Sequence, residues 1–398
     1  MRFLNWLGQI ASVTGMNLRN VPARPGSTIV ALLGIAGVVA VLVAVLSISA
    51  GFKSTMATTG AEDAAIVIRA GSTSELSSGL SADSVNIIAQ APGVAAGDNG
   101  PLSSAELFVI VDAPKRGSGT DANVPFRGVS RGGFEVRDHF RLTDGRLFEP
   151  GLREVIVGQG AAREFANLEV GSTVSWGRNE WTVVGHFEDG GSLAESEIWT
   201  DVRVLQDAYN RGNSFQSVRV KLESPEALQV FADALTSDAR LEVTVERESE
   251  FYADQAGVLA SVIESIGWVV TGMMGLGAVF AAILTMYASV SSRTVEIATL
   301  RALGFGRFPI VVSVLAEALV LGVLGGAVGG IVAYIGFNGY QASTLNWASF
   351  SQVTFAFLVT PALLVTGVIY ALIMGLVGGL IPSWRAARQP ITTALREL

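Results

Sequence analysis

Four charged side chains fall within fifteen residues of this sequence, at Arg293, Glu296, Arg301 and Arg307, between two long apolar runs. An arginine or glutamate at the centre of a bilayer costs roughly 2.5–3.5 kcal/mol. A charged helix of about four turns at 291–307 must therefore lie at a membrane surface, where the apolar runs on either side hold it. We interpret this segment as the place where a cytoplasmic partner acts on the chain.

The sequence lacks the residue patterns of an active site or a metal site. It contains no cysteine, and its two histidines, His139 and His186, have no neighbours at metal-ligand spacing. The phosphate-binding pattern G-x-x-x-x-G-K-[ST], the zinc-protease pattern H-E-x-x-H and the hydrolase pattern G-x-S-x-G are all missing. We therefore expect no catalytic residue, no metal and no cofactor in this chain.

Ionisable residues are also rare within the apolar runs. Glu317 lies inside one run, and Glu264 lies at the boundary of another. A transporter coupled to protons or ions normally keeps several such residues inside its spans. Two interpretations of Glu317 stay open, namely an ion pair with a nearby arginine or a place in a carboxylate relay. The sequence therefore indicates a chain without an energy source of its own.

Four apolar runs are long enough to cross a bilayer, at 28–50, 266–290, 310–337 and 355–381. A cleaved signal peptide is the alternative for the first run. Its apolar core exceeds the usual length of about 7–15 residues, however, which favours a retained anchor. We therefore predict four transmembrane helices.

The short segments beside these runs differ in charge. The N-terminal segment 1–27, which we predict as an amphipathic helix, carries three arginines, as do 291–307 and the tail 383–398. The segment 338–353 carries no charged residue, and we predict it as a short external loop. Because arginine-rich short segments stay inside, both termini and 291–307 are expected in the cytoplasm of a cell inner-membrane protein, and residues 52–263 outside.

Residues 52–263 form the soluble part, with 18 basic and 31 acidic side chains. This acidic balance argues against nucleic acid as a partner. Strand–helix–strand patterns at both ends flank a more β-rich middle at about 125–205. The order predicts an α+β extracytoplasmic domain between the first two transmembrane helices, with a β-rich part inserted into a split half.

A row of glycines marks the third apolar run. Gly322, Gly326 and Gly330 recur every four residues, Gly325 and Gly329 lie between them, and Gly375 and Gly379 repeat the spacing in the fourth run. Such rows let helix backbones approach closely in lipid. Packing within one subunit and a seam between two subunits both remain open.

The charged segment and its surroundings resemble the signature of MacB/FtsX-type ABC transporter permeases, R-x-x-E-I-x-x-L-R-A-x-G followed by a Glu-Ala pair. The matching positions are Arg293, Glu296, Ile297, Leu300, Arg301, Ala302 and Gly304, followed by Glu317 and Ala318. The closing segment is similar to the family's as well, at Pro382, Arg385, Ala386, Ala387, Arg388, Pro390, Ala394 and Leu395. In the soluble part, 142–162 and 168–189 resemble the family's extracytoplasmic core.

The resemblance implies a split porter-like domain after one span, then three further spans. It also implies that two permeases, a second copy or a paralogue, work with a cytoplasmic ABC ATPase dimer that binds ATP and Mg²⁺. We expect this ATPase on a separate chain, because no fused ATPase precedes the first span. The residues expected to couple to it are Arg293, Glu296, Leu300, Arg301, Gly304 and Arg307.

Two functions are open at this point. One is a permease that works by mechanotransmission, in which ATP hydrolysis moves the outer domain to export or extract a substrate at the outer face of the membrane. The alternative is an FtsX-like signalling permease that activates an external cell-wall hydrolase. Lipoproteins, peptides, glycolipids and drugs remain open as substrates, as do membrane lipid and a periplasmic adaptor or chaperone as partners.

Overall fold

The computed structural model describes residues 2–20, 25–98, 100–347 and 349–388. These residues divide into two units. The helical unit comprises Met1–Ala50, Val262–Tyr340 and Phe357–Leu398, and the sheet unit comprises Gly51–Ser261 and Gln341–Ala356. The predicted tail positions Pro390, Ala394, Leu395 and Arg396 lie outside the described residues.

The helices of the described residues are numbered in chain order. They are α1 (Arg2–Asn20), α2 (Pro25–Ala57), α3 (Ala82–Ala89), α4 (Gln159–Glu164), α5 (Val202–Ala208), α6 (Ala227–Thr236), α7 (Glu248–Ser291), α8 (Thr294–Ala302), α9 (Arg307–Phe337) and α10 (Pro361–Arg388). Four of them, α2, α7, α9 and α10, are long and apolar enough to cross a membrane. The prediction of four transmembrane helices is therefore confirmed.

The helices α2 and α7 extend beyond the predicted spans by seven residues or more. α7 begins at Glu248, well before residue 266, and α2 continues to Ala57, beyond residue 50. Hydropathy identifies only the part of a helix that fits the hydrocarbon layer, and both extensions carry polar residues. These polar turns belong to the sheet unit.

The fourth span differs from its prediction at both ends. Residues 355–356 belong to a strand, and α10 begins only at Pro361. At the other end, Pro382 lies inside α10 rather than after it. An interior proline costs a helix about 3 kcal/mol. The buried Ala386 and Ala387 pack against α7, α8 and α9 beyond it, and this packing holds the last turns helical.

The strands are also numbered in chain order. They are β1 (Ala64–Arg69), β2 (Ala96–Gly97), β3 (Gly100–Pro101), β4 (Ser103–Pro114), β5 (Asp121–Val129), β6 (Phe140–Gly145), β7 (Glu154–Gly158), β8 (Thr173–Trp176), β9 (Asn179–Asp189), β10 (Ile198–Asp201), β11 (Ser217–Lys221), β12 (Val243–Arg247), β13 (Gln341–Asn346) and β14 (Ser351–Ala356). The main sheet has the order β12-β1-β11-β4-β5-β10-β7-β9-β6, with β8 paired to β9.

This order explains the split domain. β1-α3-β4 and β11-α6-β12 form an antiparallel four-stranded half in the order β12-β1-β11-β4. The long strand β4 pairs with β11 at Ser103–Glu106 and with β5 at Leu107–Pro114. One strand thus carries both the split half and the insertion, and the predicted α+β fold is confirmed.

The core of the sheet unit is largely aromatic in the insertion. Phe126 contacts Trp181 and Trp176, with ring centroids 4.9 and 5.2 Å apart. On the other face, Trp199 lies 4.3 Å from Phe187. Burial of such side chains dominates core energetics. The insertion therefore has a hydrophobic core on both faces of its strands.

The prediction of a loop at 338–353 is wrong in its secondary structure. The chain forms a β-hairpin there, β13 paired with β14, and the hairpin packs within the sheet unit. Asn123 Nδ2 donates to Phe350 O at 2.7 Å, and Thr354 N donates to Ser196 Oγ at 2.9 Å. Alternate residues of β14 are buried, as at Ser351, Val353 and Phe355, so a lack of charge does not distinguish a loop from a strand.

Candidate functional site

The predicted coupling segment contains a shorter helix than expected. α8 has nine residues, about two and a half turns, so the prediction of four turns is wrong. The helix ends because Gly304 has φ +96°, a conformation that favours glycine. Gly304 N donates to Arg301 O and Phe305 N to Leu300 O, both at 3.1 Å, which closes the helix terminus.

Arg293 lies inside the helical unit rather than on its surface. Its guanidinium forms an ion pair with Glu317 of α9, and both side chains are buried. Arg293 Nη2 also donates to Ser289 Oγ of α7 at 3.0 Å. Removing one partner of a buried pair costs about 3–5 kcal/mol, because the other charge is left uncompensated. Of the two interpretations of Glu317, the structure places it in an ion pair.

The inner face of α8 is apolar. Ile297 and Ala298 are buried, and Ile297 packs with Met286 of α7 and Ile310 of α9. The last turns of α10 contribute Ala386 to the same cluster. α8 therefore packs against three of the helices that are long enough to span a membrane.

The remaining predicted coupling residues face outward to different degrees. Glu296, Gly304 and Arg307 are exposed, whereas Leu300 and Arg301 are half-buried. Two apolar residues that sequence reasoning missed are exposed beside them, Leu303 at 73% and Phe308 at 54%. We name the coupling surface as Glu296, Arg301, Leu303, Arg307 and Phe308. The signal for Leu303 and Phe308 was present, since both are apolar residues at the ends of a charged segment.

The N-terminal helix α1 lies beside α8. Val13 and Asn17 of α1 are buried, and Asn17 Nδ2 donates to Ser313 Oγ of α9. Val13 and Asn17 also line a small crevice with Glu296 and Leu300 of α8. The second half of α1 therefore packs on the helical unit next to the coupling surface.

The glycine row packs against neighbouring helices of the same chain. One face of α9 meets α10, since a Cβ atom at Gly322 would lie 2.9 Å from Ala371 O and one at Gly326 2.9 Å from Ala371 Cβ. Gly330 continues this face, 3.2 Å from Leu364 Cδ2. α10 contributes its own glycines in return, because a Cβ at Gly375 would lie 2.7 Å from Ala318 O.

The other glycines of the row meet α2. A Cβ at Gly329 would lie only 2.4 Å from Ala36 O, and one at Gly325 would lie 2.9 Å from Ile35 Cβ. On the opposite side of α9, a Cβ at Gly379 of α10 would lie 2.7 Å from Ala318 Cβ of α9. α9 thus lies between α2 and α10, and backbone contacts at glycines hold the three helices together.

A second ionic site, which sequence reasoning missed, lies in the sheet unit. We name it the Arg–Glu cluster, and all of its side chains are buried or nearly so. Its members are Glu75, Glu106, Arg127, Arg137, Glu197, Arg219, Glu248 and Tyr252. Glu75 follows β1, Glu197 precedes β10, and Glu248 and Tyr252 lie on the first turns of α7.

Arg127 of β5 uses all five of its N–H groups in this cluster. It donates to Glu197 at 2.7 Å from both Nε and Nη2, to Glu75 at 2.8 and 3.0 Å, and to Glu106 at 2.9 Å. The planar guanidinium fits two carboxylates side by side, which lysine cannot do. Arg127 therefore joins the split half, through Glu75 and Glu106, to the insertion.

Arg219 of β11 attaches the start of α7 to the same cluster. Its Nε donates to Glu248 Oε1 at 2.6 Å, and its other nitrogens contact Glu106 and the Tyr252 hydroxyl. Tyr252 Oη in turn donates to Glu75 Oε2 at 3.1 Å. The first turn of α7 is thus hydrogen-bonded to both β11 and the turn after β1.

The electrostatics of the cluster favour charged carboxylates. Burial alone would raise the pKa of Glu75, but the guanidinium groups of Arg127 and Arg219 outweigh it and hold that pKa well below its usual range. Glu75 therefore remains ionised at neutral pH. The signal in the sequence was a charged residue inside an otherwise buried strand, as at Glu106 in β4 and Arg127 in β5.

Comparisons with known proteins agree with this architecture. Residues 28–238 match the family model of the MacB-like periplasmic core domain, and residues 268–391 match that of the FtsX-like permease C-terminal region. The chain is 24% identical over 296 residues to the uncharacterized ABC transporter permease YknZ of Bacillus subtilis, covering 70% of each chain. It is 25% identical over 261 residues to the macrolide export ATP-binding/permease protein MacB of Neisseria meningitidis, covering 58% of this chain and 39% of that one.

Solved structures give the same neighbours. The extracellular domain of the YknZ transporter covers 46% of this chain and 99% of its own length, at 18% identity and a TM-score of 0.35. The periplasmic region of MacB from Actinobacillus actinomycetemcomitans covers 48% of this chain and 92% of its own length, at 15% identity and a TM-score of 0.37.

Proposed function

Because the chain belongs to the MacB/FtsX-like family of ABC transporter permeases, we propose that it couples ATP hydrolysis on a separate cytoplasmic ATPase to motion of its outer domain. The motion exports or extracts a substrate at the outer face of the membrane. The chain itself carries out no catalysis. ATP and Mg²⁺ bind to the partner, and a second permease, identical or paralogous, completes the complex.

The continuity of α7 carries this proposal. The helix runs without interruption from Glu248 to Ser291, 44 residues or about 66 Å. Its first turns are bonded into the Arg–Glu cluster, and its last residue, Ser291, is two residues before Arg293, which precedes α8. A continuous helix transmits displacement along its axis, so a push on α8 reaches the Arg–Glu cluster.

The coupling surface supplies the contact with the ATPase in this proposal. Leu303 and Phe308 offer an apolar anchor, and Glu296 and Arg307 offer charges of both signs around it. Interfaces of this kind, an apolar centre with a polar rim, are typical of protein partners. In this proposal Arg293, whose buried guanidinium is paired with Glu317, contributes by positioning α8.

The few ionisable groups of the spans support motion rather than passage through the helices. Glu317 is paired with Arg293, and Glu264 accepts a hydrogen bond from Ser49 Oγ at 2.6 Å. A polar route through lipid needs a chain of such groups. Within the described part of the membrane-spanning helices, these two carboxylates already have partners in the same unit.

A single-cysteine experiment tests whether the coupling surface lies in the cytoplasm and the sheet unit lies outside. The sequence contains no cysteine, so Leu303→Cys and Ser237→Cys each introduce one thiol. Ser237 is exposed in the sheet unit and serves as the matched control. A membrane-impermeant thiol reagent added to intact cells should label Ser237→Cys only. A thiol-reactive photocrosslinker attached at Leu303→Cys in open membranes should capture an ABC ATPase.

Labelling of Leu303→Cys from outside would show that the orientation in the membrane is the reverse of the predicted one, and it would overturn the proposal. If no ATPase is captured at Leu303→Cys in membranes where the transporter is active, the assignment of the coupling surface is wrong. Purified complexes that contain an external cell-wall hydrolase and move no substrate would instead support the signalling alternative.

A further inference from the structure

A groove of about 500 Å³ lies in the sheet unit, between the first turns of α7, β12 and the tip of the hairpin β13–β14. Ligand pockets of folded proteins have volumes of roughly 300–1,000 Å³, so the groove has room for a small organic molecule. It is separate from the Arg–Glu cluster, whose members do not line it.

The walls of the groove are apolar in part. Phe251 and Leu259 of α7 are buried beneath it, whereas Val258 is 62% exposed and Trp347 is 54% exposed. A single exposed apolar side chain is ordinary on a protein surface. Here two of them border one concave site with a buried apolar base, which is the arrangement that binds the hydrocarbon part of a ligand.

Two carboxylates lie beside these apolar walls. Glu246 of β12 and Asp254 of α7 line the groove, and neither forms an ion pair among the described residues. Burial raises the pKa of Glu246, and the negative charges of Asp254 and Glu250 raise it further. Like charges held together without a cation repel each other, and a bound cation relieves that repulsion.

The residues of α7 that line the groove precede the apolar run of that helix. Val258 is eight residues before 266, where the apolar run of α7 begins. Eight residues of α-helix measure about 12 Å. The part of α7 that lines the groove is therefore continuous along the chain with the apolar run of the same helix.

We propose that the groove binds an amphiphile that carries a protonated amine, with the amine between Glu246 and Asp254 and the hydrocarbon part against Val258 and Trp347. The cation also attracts the face of the Trp347 ring. This inference names a substrate class for the same machine and so rests on the proposed function. It adds a site at which the outer domain first holds the substrate.

The test uses the full chain in phosphatidylcholine nanodiscs without ATPase or ATP. The probe is a long-chain alkylamine that carries a photoreactive diazirine, and the matched neutral probe is the alcohol with the same chain. Crosslinked peptides are identified by mass spectrometry. The ammonium probe should label residues of the first turns of α7 or of the hairpin tip in excess over the alcohol.

The double variant Glu246→Gln/Asp254→Asn should reduce this labelling about threefold or more, as expected from loss of two exposed ion pairs. The control Asp83→Asn/Glu223→Gln removes the same charge at exposed sites elsewhere in the sheet unit and should leave labelling unchanged. Trp347→Leu, which keeps an apolar side chain, should lower labelling by the ammonium more than by the alcohol.

Equal labelling by both probes, or labelling that the double variant does not change, would overturn the inference. Labelling confined to the membrane-spanning parts of the helices would overturn it as well. Since no ATP is present, these results do not depend on ATPase coupling. Failure of the groove and failure of the proposed function are therefore distinguishable.

Discussion

The two units of this protein bury charge in different ways, and the difference indicates what each site does. Among the described residues of the helical unit, Arg293 and Glu317 form a buried ion pair, in surroundings held together by glycine–backbone contacts. The sheet unit buries three arginines and four glutamates in one connected cluster. A single pair fixes one helix, whereas a cluster joins several elements at once.

A substitution in the Arg–Glu cluster is expected to lower the stability of the protein more than a substitution in the Arg293–Glu317 pair. Replacing Arg127 by leucine leaves Glu75, Glu106 and Glu197 without their shared partner, and should lower the free energy of unfolding by about 3–5 kcal/mol or more. Thermal unfolding of the full chain in detergent measures this. Arg141→Leu, which breaks only the exposed pair with Glu188, is the control and should cost less than about 1 kcal/mol. Equal losses in both variants would contradict the described role of the cluster.

The single pair of the helical unit is expected to show a smaller loss that a second substitution reverses. Glu317→Leu leaves Arg293 buried and unpaired, which should cost about 3 kcal/mol. The double variant Arg293→Met/Glu317→Leu should recover most of that stability, because an apolar pair of similar volume avoids burying charge. In the complex of this double variant with the partner ATPase, ATP turnover should nevertheless lose its stimulation by substrate, since no ion pair ties position 293, next to α8, to α9. A double variant with full stimulation would show that the pair serves stability alone.

Substitution of a glycine that packs against a neighbouring helix is expected to cause the next smaller loss of stability. Gly329→Ala places a methyl group 2.4 Å from Ala36 O, so α2 and α9 must move apart, at a cost of about 1–3 kcal/mol. Gly336→Ala, in the same helix with nothing within 4 Å, should have little effect. Thermal unfolding in detergent compares the two variants. Similar values would mean that the close approach of α2 to α9 does not contribute to stability.

Substitutions at the coupling surface should have the smallest effect on stability and a large effect on transport-linked ATP turnover. Glu296→Lys and Arg301→Glu change side chains at the surface of α8, and surface substitutions usually shift stability by less than about 0.5 kcal/mol. Transport-linked ATP turnover in reconstituted membranes should fall about tenfold, within the usual range of coupling energies. Glu223→Lys, exposed in the sheet unit, provides the control. Normal turnover by both α8 variants would contradict the coupling role.

Much of this comparison could be predicted from the sequence, because part of it depends on local patterns. Apolar runs predicted the four spans, and the spacing of Gly322, Gly326 and Gly330 predicted close helix packing. Alternating strand and helix patterns predicted the split α+β domain. In each case neighbouring residues determine the feature, so one sequence is enough to predict it.

The parts that could not be predicted depend on contacts between distant residues. Glu75 and Arg219 are far apart in the chain, and only the pairing of β1 with β11 and of β11 with β4 brings them together. The lack of charge at 338–353 predicts a loop, and it does not reveal the β-hairpin that backbone pairing forms at 341–356. The length of α8 depended on the backbone conformation of Gly304, which a charge pattern does not reveal.

The most direct test of force transmission through α7 is a distance measurement within the sheet unit. Spin labels at Arg178→Cys in the insertion and Ser237→Cys in the split half report the distance between the two parts that the Arg–Glu cluster joins. In complexes with the partner ATPase, we predict that ATP shifts this distance distribution and that Glu296→Lys abolishes the shift while ATP still binds. If the coupling surface is unmodified and the distance distribution between the two labels is the same with and without ATP, the account is contradicted.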